Sequence, residues 1–101
     1  MPQTDPHMQI ARKIRSIDSA KTELVQQVAE VFRGLQSGNE RAIAESLGGL
    51  IAIAYFMGHQ LGVELPALDR QAQAGLPGTL GHEVIHQGDF EYVQRYLGSS
   101  R

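Results

Sequence analysis

The sequence has no cysteine and no tryptophan among its 101 residues, and it shows neither a large charge excess nor a long hydrophobic run. Without cysteine the chain can form no disulfide and no thiolate metal site, which suits a cytoplasmic protein. A net charge of −2 gives no electrostatic basis for binding nucleic acid or an anionic membrane. The longest apolar run, Leu50 to Met57, is much shorter than the roughly 20 residues of a membrane helix. We therefore expect one small soluble domain in the cytoplasm.

The sequence contains signals for helix starts and helix ends, and these signals are clearer in the first half of the chain. Asp5-Pro6 predicts the start of a first helix that runs to about Ile17. Ser19 predicts the cap of a second helix that ends near Gln36. The apolar residues of this second helix keep the i, i+3, i+4 spacing of one helix face; they are Leu24, Val28, Val31, Phe32 and Leu35.

The third predicted helix is the core element. Ser37-Gly38 predicts the preceding turn, Asn39 predicts the cap, and Gly62 predicts the end. Its second half is apolar nearly all round, which is typical of a helix that is buried on every side. A 101-residue monomer can hardly surround such a helix, so we expect a homodimer or a dimer of dimers. The flank that we expect to be buried between copies comprises Ile53, Phe56 and Met57.

Glycines in the third helix carry a second prediction. Gly48 and Gly49 each cost roughly 1 kcal/mol relative to alanine inside a helix. Close approach of another helix would offset that cost, so we expect one of the two to lie at a helix–helix contact.

The last third of the sequence predicts shorter elements. Pro66 predicts a fourth helix to about Ala74, and the segment GLPGTLG predicts a turn-rich break. Asp89 predicts the cap of a last helix that Gly98 ends. The pattern as a whole predicts an all-α fold of four or five helices around the central hairpin, completed into a bundle by oligomerisation. We expect a single domain over residues 1–101, with residues 1–7 flexible.

The hairpin resembles a known enzyme family. The stretches that carry the resemblance are KTELVQQVAEVFRGLQSGNERAI, LIAIAYFMGHQLGVELPALD and, more loosely, GHEVIHQGDFEYVQRYL. They are similar to the MazG family of all-α nucleoside triphosphate pyrophosphohydrolases, and more closely to a MazG-like branch of short proteins. The resemblance covers residues 10 to 97 and implies an all-α fold and an Mg²⁺-dependent ancestor.

The resemblance also implies where metal ligands would stand, and this chain departs from the pattern there. The family enzymes hold Mg²⁺ with an E-E-x-x-E run on one helix and an E-x-x-D run on the next. Only Glu30 matches an acid position of the first run, whose other two acids are replaced by Val31 and Gly34. Ser46 and Gly49 replace both acids of the second run. One carboxylate of five cannot hold a divalent ion against water.

Two functions from different classes remain open. The favoured one is a non-catalytic MazG-like oligomer, a binding or regulatory module without a catalytic residue or cofactor and with itself as partner. The alternative is a nucleotide pyrophosphohydrolase with a reduced or relocated Mg²⁺ site that uses the remnant acids Glu30 and Glu45 together with histidines of a partner chain. On the family pattern Glu45 lies one residue before the second run and is expected to point elsewhere on its helix.

One further motif lies near the end of the chain. His82-Glu83-Val84-Ile85-His86 has the H-E-x-x-H pattern, which on a helix presents two histidines to zinc. A catalytic zinc needs a third protein ligand and a substrate cleft, for which the remaining chain has no room. We expect at most adventitious metal binding at His82 and His86. The basic residues of the first helix region are expected to form a solvated face; they are Arg12, Lys13, Arg15 and Lys21.

Overall fold

A computed structural model gives four α-helices and describes residues 6–80 and 87–99. The helices are α1 (Pro6–Ser37), α2 (Glu40–Gln60), α3 (Leu65–Leu80) and α4 (Gln87–Gly98). Across those described residues no strand is present, so the predicted all-α fold is confirmed. The chain divides into two compact units, residues 1–62 and 63–101.

The first unit is the hairpin of α1 and α2, and its turn is the one that the sequence predicts. Gly38 adopts a φ of 69° and its N–H donates to the carbonyl of Leu35, so glycine ends α1 in the left-handed region. The side chain of Asn39 then accepts a hydrogen bond from the backbone N–H of Ala42 at 3.1 Å. This bond satisfies one of the free donors at the start of α2. Gly62, with a φ of 80°, follows the C-cap of α2 in the same way.

The predicted break between Ile17 and Ser19 is wrong, because α1 is one continuous helix through this point. Local side chains bridge the position of the predicted break. Lys21 Nζ lies 3.1 Å from Asp18 Oδ1, and Thr22 Oγ1 donates to the Asp18 carbonyl at 3.4 Å. Serine inside a helix is only mildly unfavourable, and the buried Ala20 packs within the hairpin. Packing therefore outweighs the weak start signal of Ser19.

The interior of the first unit is made of small residues. Among its described residues, those that are buried are Ala20, Gly34, Ser46 and Gly58. Small side chains at facing positions allow two helices to approach closely, but they supply little apolar area. The hairpin therefore holds its two helices together without burying a single large side chain among the residues described.

The second unit is a hairpin of α3 and α4, in which Phe90 is buried. Helix α3 starts as predicted next to Pro66, but it continues through Gly75 and Pro77 to Leu80. The prediction that GLPGTLG breaks the helix is therefore wrong for residues 75–80, which are helical although an interior proline and glycines disfavour a helix. Helix α4 begins at Gln87, so Asp89 lies in its first turn and is not the cap. A carboxylate is favourable there as well.

The N-terminal residues 1–5 lie outside the described residues, whereas Pro6 and His7 belong to α1. Helix α2 is long and apolar enough to cross a membrane by length and composition, the one such helix found within the described part of the chain. Length and composition do not distinguish a membrane span from a helix that packs on protein, and α2 packs against the charged, amphipathic α1.

Candidate functional site

A groove lies along one side of the first hairpin, at the positions where the related enzymes would carry their acids. It has a volume of about 410 Å³ and is open to solvent. Five residues of α1 and three of α2 line it, namely Gln27, Glu30, Arg33, Gly34 and Ser37 with Ala42, Glu45 and Ser46. The groove is thus built from facing sides of both helices.

The two carboxylates of the groove are each paired with an arginine of their own helix. Glu30 accepts a hydrogen bond from Arg33, one turn later on α1. Glu45 Oε2 lies 3.4 Å from Arg41 Nε on α2. All four side chains are mostly exposed, so both pairs lie in water and neither holds the helices together.

The arginine pairing changes the acidity of Glu30. The hydrogen bond from Arg33, and then its positive charge, hold the pKa of the Glu30 carboxyl below its ordinary value. The same contact raises the pKa of Arg33. Glu30 is therefore ionised at neutral pH and already has a cation beside it.

The other acid positions of the first family run are closed by packing. Gly34 is buried against α2: a Cβ at this position would lie 3.1 Å from Ser46 Oγ and 3.2 Å from the Ala42 carbonyl oxygen. Val31 is half-buried. A side chain longer than glycine at position 34 would have to push the backbone of α2 away, because a carbonyl oxygen cannot rotate aside.

The positions of the second run are also used for packing. Ser46 is 7% exposed, and its hydroxyl donates to the Ile43 carbonyl at 3.0 Å. Gly49 faces Gln27: a Cβ there would lie 2.5 Å from Gln27 Nε2. Gly48, by contrast, has no atom within 4 Å of where a Cβ would stand. Of the two glycines that were predicted to lie at a helix contact, Gly49 is therefore the one that does.

Gln27 is the groove residue that sequence reasoning missed. Its side-chain amide Nε2 donates to the backbone carbonyl of Ser46 at 2.8 Å and so joins α1 to α2. The signal available in the sequence was position: Gln27 precedes Glu30 by three residues, hence it shares the same helix face.

Glu45 is placed differently from the expectation. The sequence pattern suggested that it points away from the site, but it lines the same groove as Glu30. The reason is the register of the hairpin, which turns the side of α2 that carries Ala42 and Glu45 towards the α1 face of Gln27 and Glu30. The remnant acids Glu30 and Glu45 therefore share one groove.

The histidine motif cannot be placed. His82 and His86 lie outside the described residues, so the expectation of adventitious metal binding there stays a prediction. Within the parts of the chain that the structure does describe, no three histidine, aspartate or glutamate side chains are grouped as a metal site would need.

Taken together, the helices and groove define an all-α protein built on a helical hairpin whose facing sides are closely packed at the family's acid positions. The family model of the MazG-like family matches residues 10–84 of this chain. The chain therefore belongs to the MazG-like family, and the resemblance inferred from the hairpin is confirmed. A search of curated proteins finds no match. A search of solved structures likewise finds none.

Proposed function

We propose that this chain is a non-catalytic MazG-like module that works by binding and self-association. The observation that carries the proposal is the contact of Gly34 with Ser46 and the Ala42 carbonyl. In the related enzymes the corresponding positions 34 and 46 would both be acids. Here the two helices approach so closely that a side chain at position 34 would require α2 to shift by a few tenths of an ångström.

The groove residues do not fit the Mg²⁺ that the family implies. Mg²⁺ requires oxygen ligands in near-octahedral geometry. Val31, Gly34 and Gly49 offer no side-chain oxygen, and Ser46 offers a buried neutral hydroxyl in place of a carboxylate. We therefore propose no metal cofactor and derive no chemical step through one.

The alternative, a pyrophosphohydrolase with a reduced site, has one observation in its favour, because Glu30 and Glu45 share the groove. Two carboxylates could hold one hydrated ion by themselves. Each is, however, paired with an arginine, and an ion would have to displace Arg33 and Arg41 to reach them. The arginines supply the positive charge that a metal would otherwise bring.

The activity test is pyrophosphate release from a panel of canonical and modified nucleoside triphosphates, with Mg²⁺ or Mn²⁺. We expect no release above the buffer control. The matched variants are Glu30→Gln, which removes the groove carboxylate, and Glu40→Gln, which removes an exposed acid elsewhere on the hairpin. Turnover in the parent that Glu30→Gln abolishes and Glu40→Gln preserves would establish the alternative instead. Equilibrium dialysis with the same nucleotides tests whether a nucleotide is the ligand.

The partner that we propose is a second copy of the chain, and the reason is an apolar face on the first hairpin. An α-helix turns about 100° per residue, so a side chain two positions after another points about 200° away. Phe32 follows Glu30 by two positions, and Leu47 follows Glu45 by two. Because both glutamates line the groove, Phe32 and Leu47 point to the opposite side of the hairpin.

This apolar face extends along both helices. We define it by its exposed large side chains, which are Val25, Val28, Phe32 and Leu35 of α1 and Leu47, Ile51 and Leu61 of α2. Phe32 is 63% exposed and Ile51 57% exposed. Leaving such a surface in water is unfavourable, at roughly 25 cal/mol for each Å². A contiguous apolar face of this kind marks a protein interface.

The size of the apolar face suits a copy of itself. Helix α2 has 21 residues and is about 31 Å long, and two packed helices are about 20 Å across. The face therefore offers on the order of 600 Å², close to the roughly 800 Å² that each partner contributes to a stable interface. A second copy supplies an equally apolar surface, and four helices then enclose the large side chains that one hairpin leaves exposed.

The expected interface differs from the one that the sequence suggested. Ile53 and Met57 are half-buried within the hairpin. Phe56 is 46% exposed, but with Ile53 and Ala20 it lines a separate groove. Burial of this flank between copies stays a prediction, and we propose the apolar face as the main interface because more large side chains are exposed there.

Light scattering coupled to gel filtration tests the proposed interface with a matched pair of phenylalanine variants. We expect the parent to be a dimer or a dimer of dimers at micromolar concentration. Phe32→Asp should dissociate or unfold it, because the charge would enter the interface, whereas Phe56→Asp should leave the oligomer assembled. A monomeric parent, or dissociation by Phe56→Asp alone, contradicts the proposal. We also propose a cytoplasmic location, which fractionation of the source cells would test.

A further inference from the structure

The first hairpin contains a polar contact whose position coincides with that of the missing metal site. Gln27 Nε2 donates to the Ser46 carbonyl at 2.8 Å, and the bond is partly buried. Position 46 is the first acid of the second family run, and Gln27 lies one turn before the first run. The bond therefore connects α1 to α2 at the level where the related enzymes would hold their ions.

A glycine makes room for this amide. Gly49 lies one turn after Ser46, and a Cβ at position 49 would lie 2.5 Å from Gln27 Nε2 and 2.8 Å from its Cδ. Any other residue at position 49 would push the amide away from the Ser46 carbonyl. The glycine therefore has a specific use here, which helps to offset its low helix propensity.

The same construction occurs in the second unit. Gln73 Nε2 of α3 donates to the Gln94 carbonyl of α4 at 2.8 Å. Gly98, one turn after Gln94, is the residue whose Cβ would collide with the Gln73 amide. Each hairpin thus joins its helices by a glutamine, a carbonyl on the opposite helix, and a glycine one turn later. We call this arrangement a glutamine clamp.

We propose that the Gln27 clamp replaces the metal site of the family as the device that holds α1 to α2 at these positions. The second unit shows that such a clamp can join two helices without any acid run, because the Gln73 clamp lies outside both runs. The inference deepens the proposed non-catalytic function and accounts for how the hairpin closes without an ion.

The test is the stability of the full chain as a function of pH in the variant Gln27→Glu. A carboxylate has no hydrogen to donate, so it repels the Ser46 carbonyl, whereas a protonated carboxyl group can donate and restore the contact. We expect a melting temperature that is several degrees below the parent at pH 7. The deficit should shrink as the pH falls towards 4 and the carboxyl protonates.

The matched control is Gln26→Glu, which makes the same change on the neighbouring exposed residue. It should show little loss at any pH. If the two variants lose the same amount at every pH, the clamp has no special role and the inference is wrong. This readout separates a hydrogen-bonding role from mere packing, since packing does not depend on protonation.

A second pair of variants covers the case in which Gln27→Glu does not fold at pH 7. Gln27→Met keeps the length of the side chain and removes the hydrogen bond. Gly49→Ala displaces the same amide, so the two changes combined should lose less than the sum of each alone. Strict additivity contradicts the clamp.

Metal addition distinguishes failure of this inference from failure of the proposed function. Parent stability should be the same with Mg²⁺, Mn²⁺ or a chelator. Stabilisation by metal would overturn the clamp as the replacement, even if no nucleotide is hydrolysed. Hydrolysis with an intact clamp would instead overturn the non-catalytic function.

Discussion

Replacing each of two adjacent glycines by alanine provides the sharpest test of how the hairpin packs. Gly48 and Gly49 sit in the same helix and differ by one position, so their intrinsic helix propensities are the same. Alanine gains roughly 1 kcal/mol over glycine in a helix interior. At position 48 nothing lies within 4 Å of the new Cβ, so the whole gain should remain.

At position 49 the gain meets an opposing cost. The new Cβ would lie 2.5 Å from Gln27 Nε2, and the amide must leave the Ser46 carbonyl. A lost hydrogen bond costs about 0.5–1.5 kcal/mol, which cancels the gain or exceeds it. We therefore expect Gly49→Ala to be neutral or destabilising, while Gly48→Ala stabilises.

The assay is urea unfolding followed by circular dichroism, at one fixed protein concentration because self-association couples to stability. The two variants should differ by about 1 kcal/mol or more, which corresponds to roughly 4–8 °C in melting temperature for a domain of this size. If both alanines stabilise equally, Gly49 is not a packing residue and the reasoning about α1 and α2 fails. The double variant should fall between the single ones.

Three further outcomes are expected. Asn39→Ala should lower the free energy of unfolding in urea by about 0.5–2 kcal/mol, because it removes the acceptor for the Ala42 N–H. An unchanged unfolding midpoint would show that the Asn39 cap does not stabilise the helix. Arg33→Gln should return the lowered Glu30 pKa towards its ordinary value in an NMR titration. A carboxyl pKa that is lowered by folding stabilises the folded state above the unfolded-state pKa, and this stabilisation is lost as the pH falls through the folded-state pKa. The parent's stability advantage over Arg33→Gln is small and screened by salt, and it should vanish in acid. Gly34→Glu should destabilise without creating Mg²⁺ affinity in calorimetry, because its Cβ would press on Ser46 and the Ala42 carbonyl. Tight Mg²⁺ binding would show that α2 moves aside readily.

Local chemistry in the sequence was enough to predict the hairpin. The turn at positions 37–39 depends on a glycine with positive φ and an asparagine cap, both of which act within a few residues. The apolar spacing of α1 and α2 predicts helices because it repeats with the helical period. The all-α class, the family and the missing acids could be inferred for the same reason, since each depends on residue type and spacing along the chain.

Helix length was less predictable where a weak signal opposed packing. Ser19 suggested a start and GLPGTLG suggested a break, yet α1 and α3 continue through both. For serine a propensity cost of a few tenths of a kcal/mol is outweighed when the helix packs along a neighbour. The proline of GLPGTLG costs about 3 kcal/mol in a helix interior, and α3 forms in spite of it. Nothing in the local sequence states that the neighbour is present.

Only the tertiary structure decided which faces of α1 and α2 meet. That choice turned Glu45 into the groove beside Glu30, and it made Gly49 a contact residue while Gly48 stayed open. It also revealed Gln27, whose partner lies 19 residues away on the opposite helix. Spacing along one helix defines its own faces, but the register between two helices is set by how their side chains interlock. That register depends on both helices together, so the sequence of one helix does not determine it.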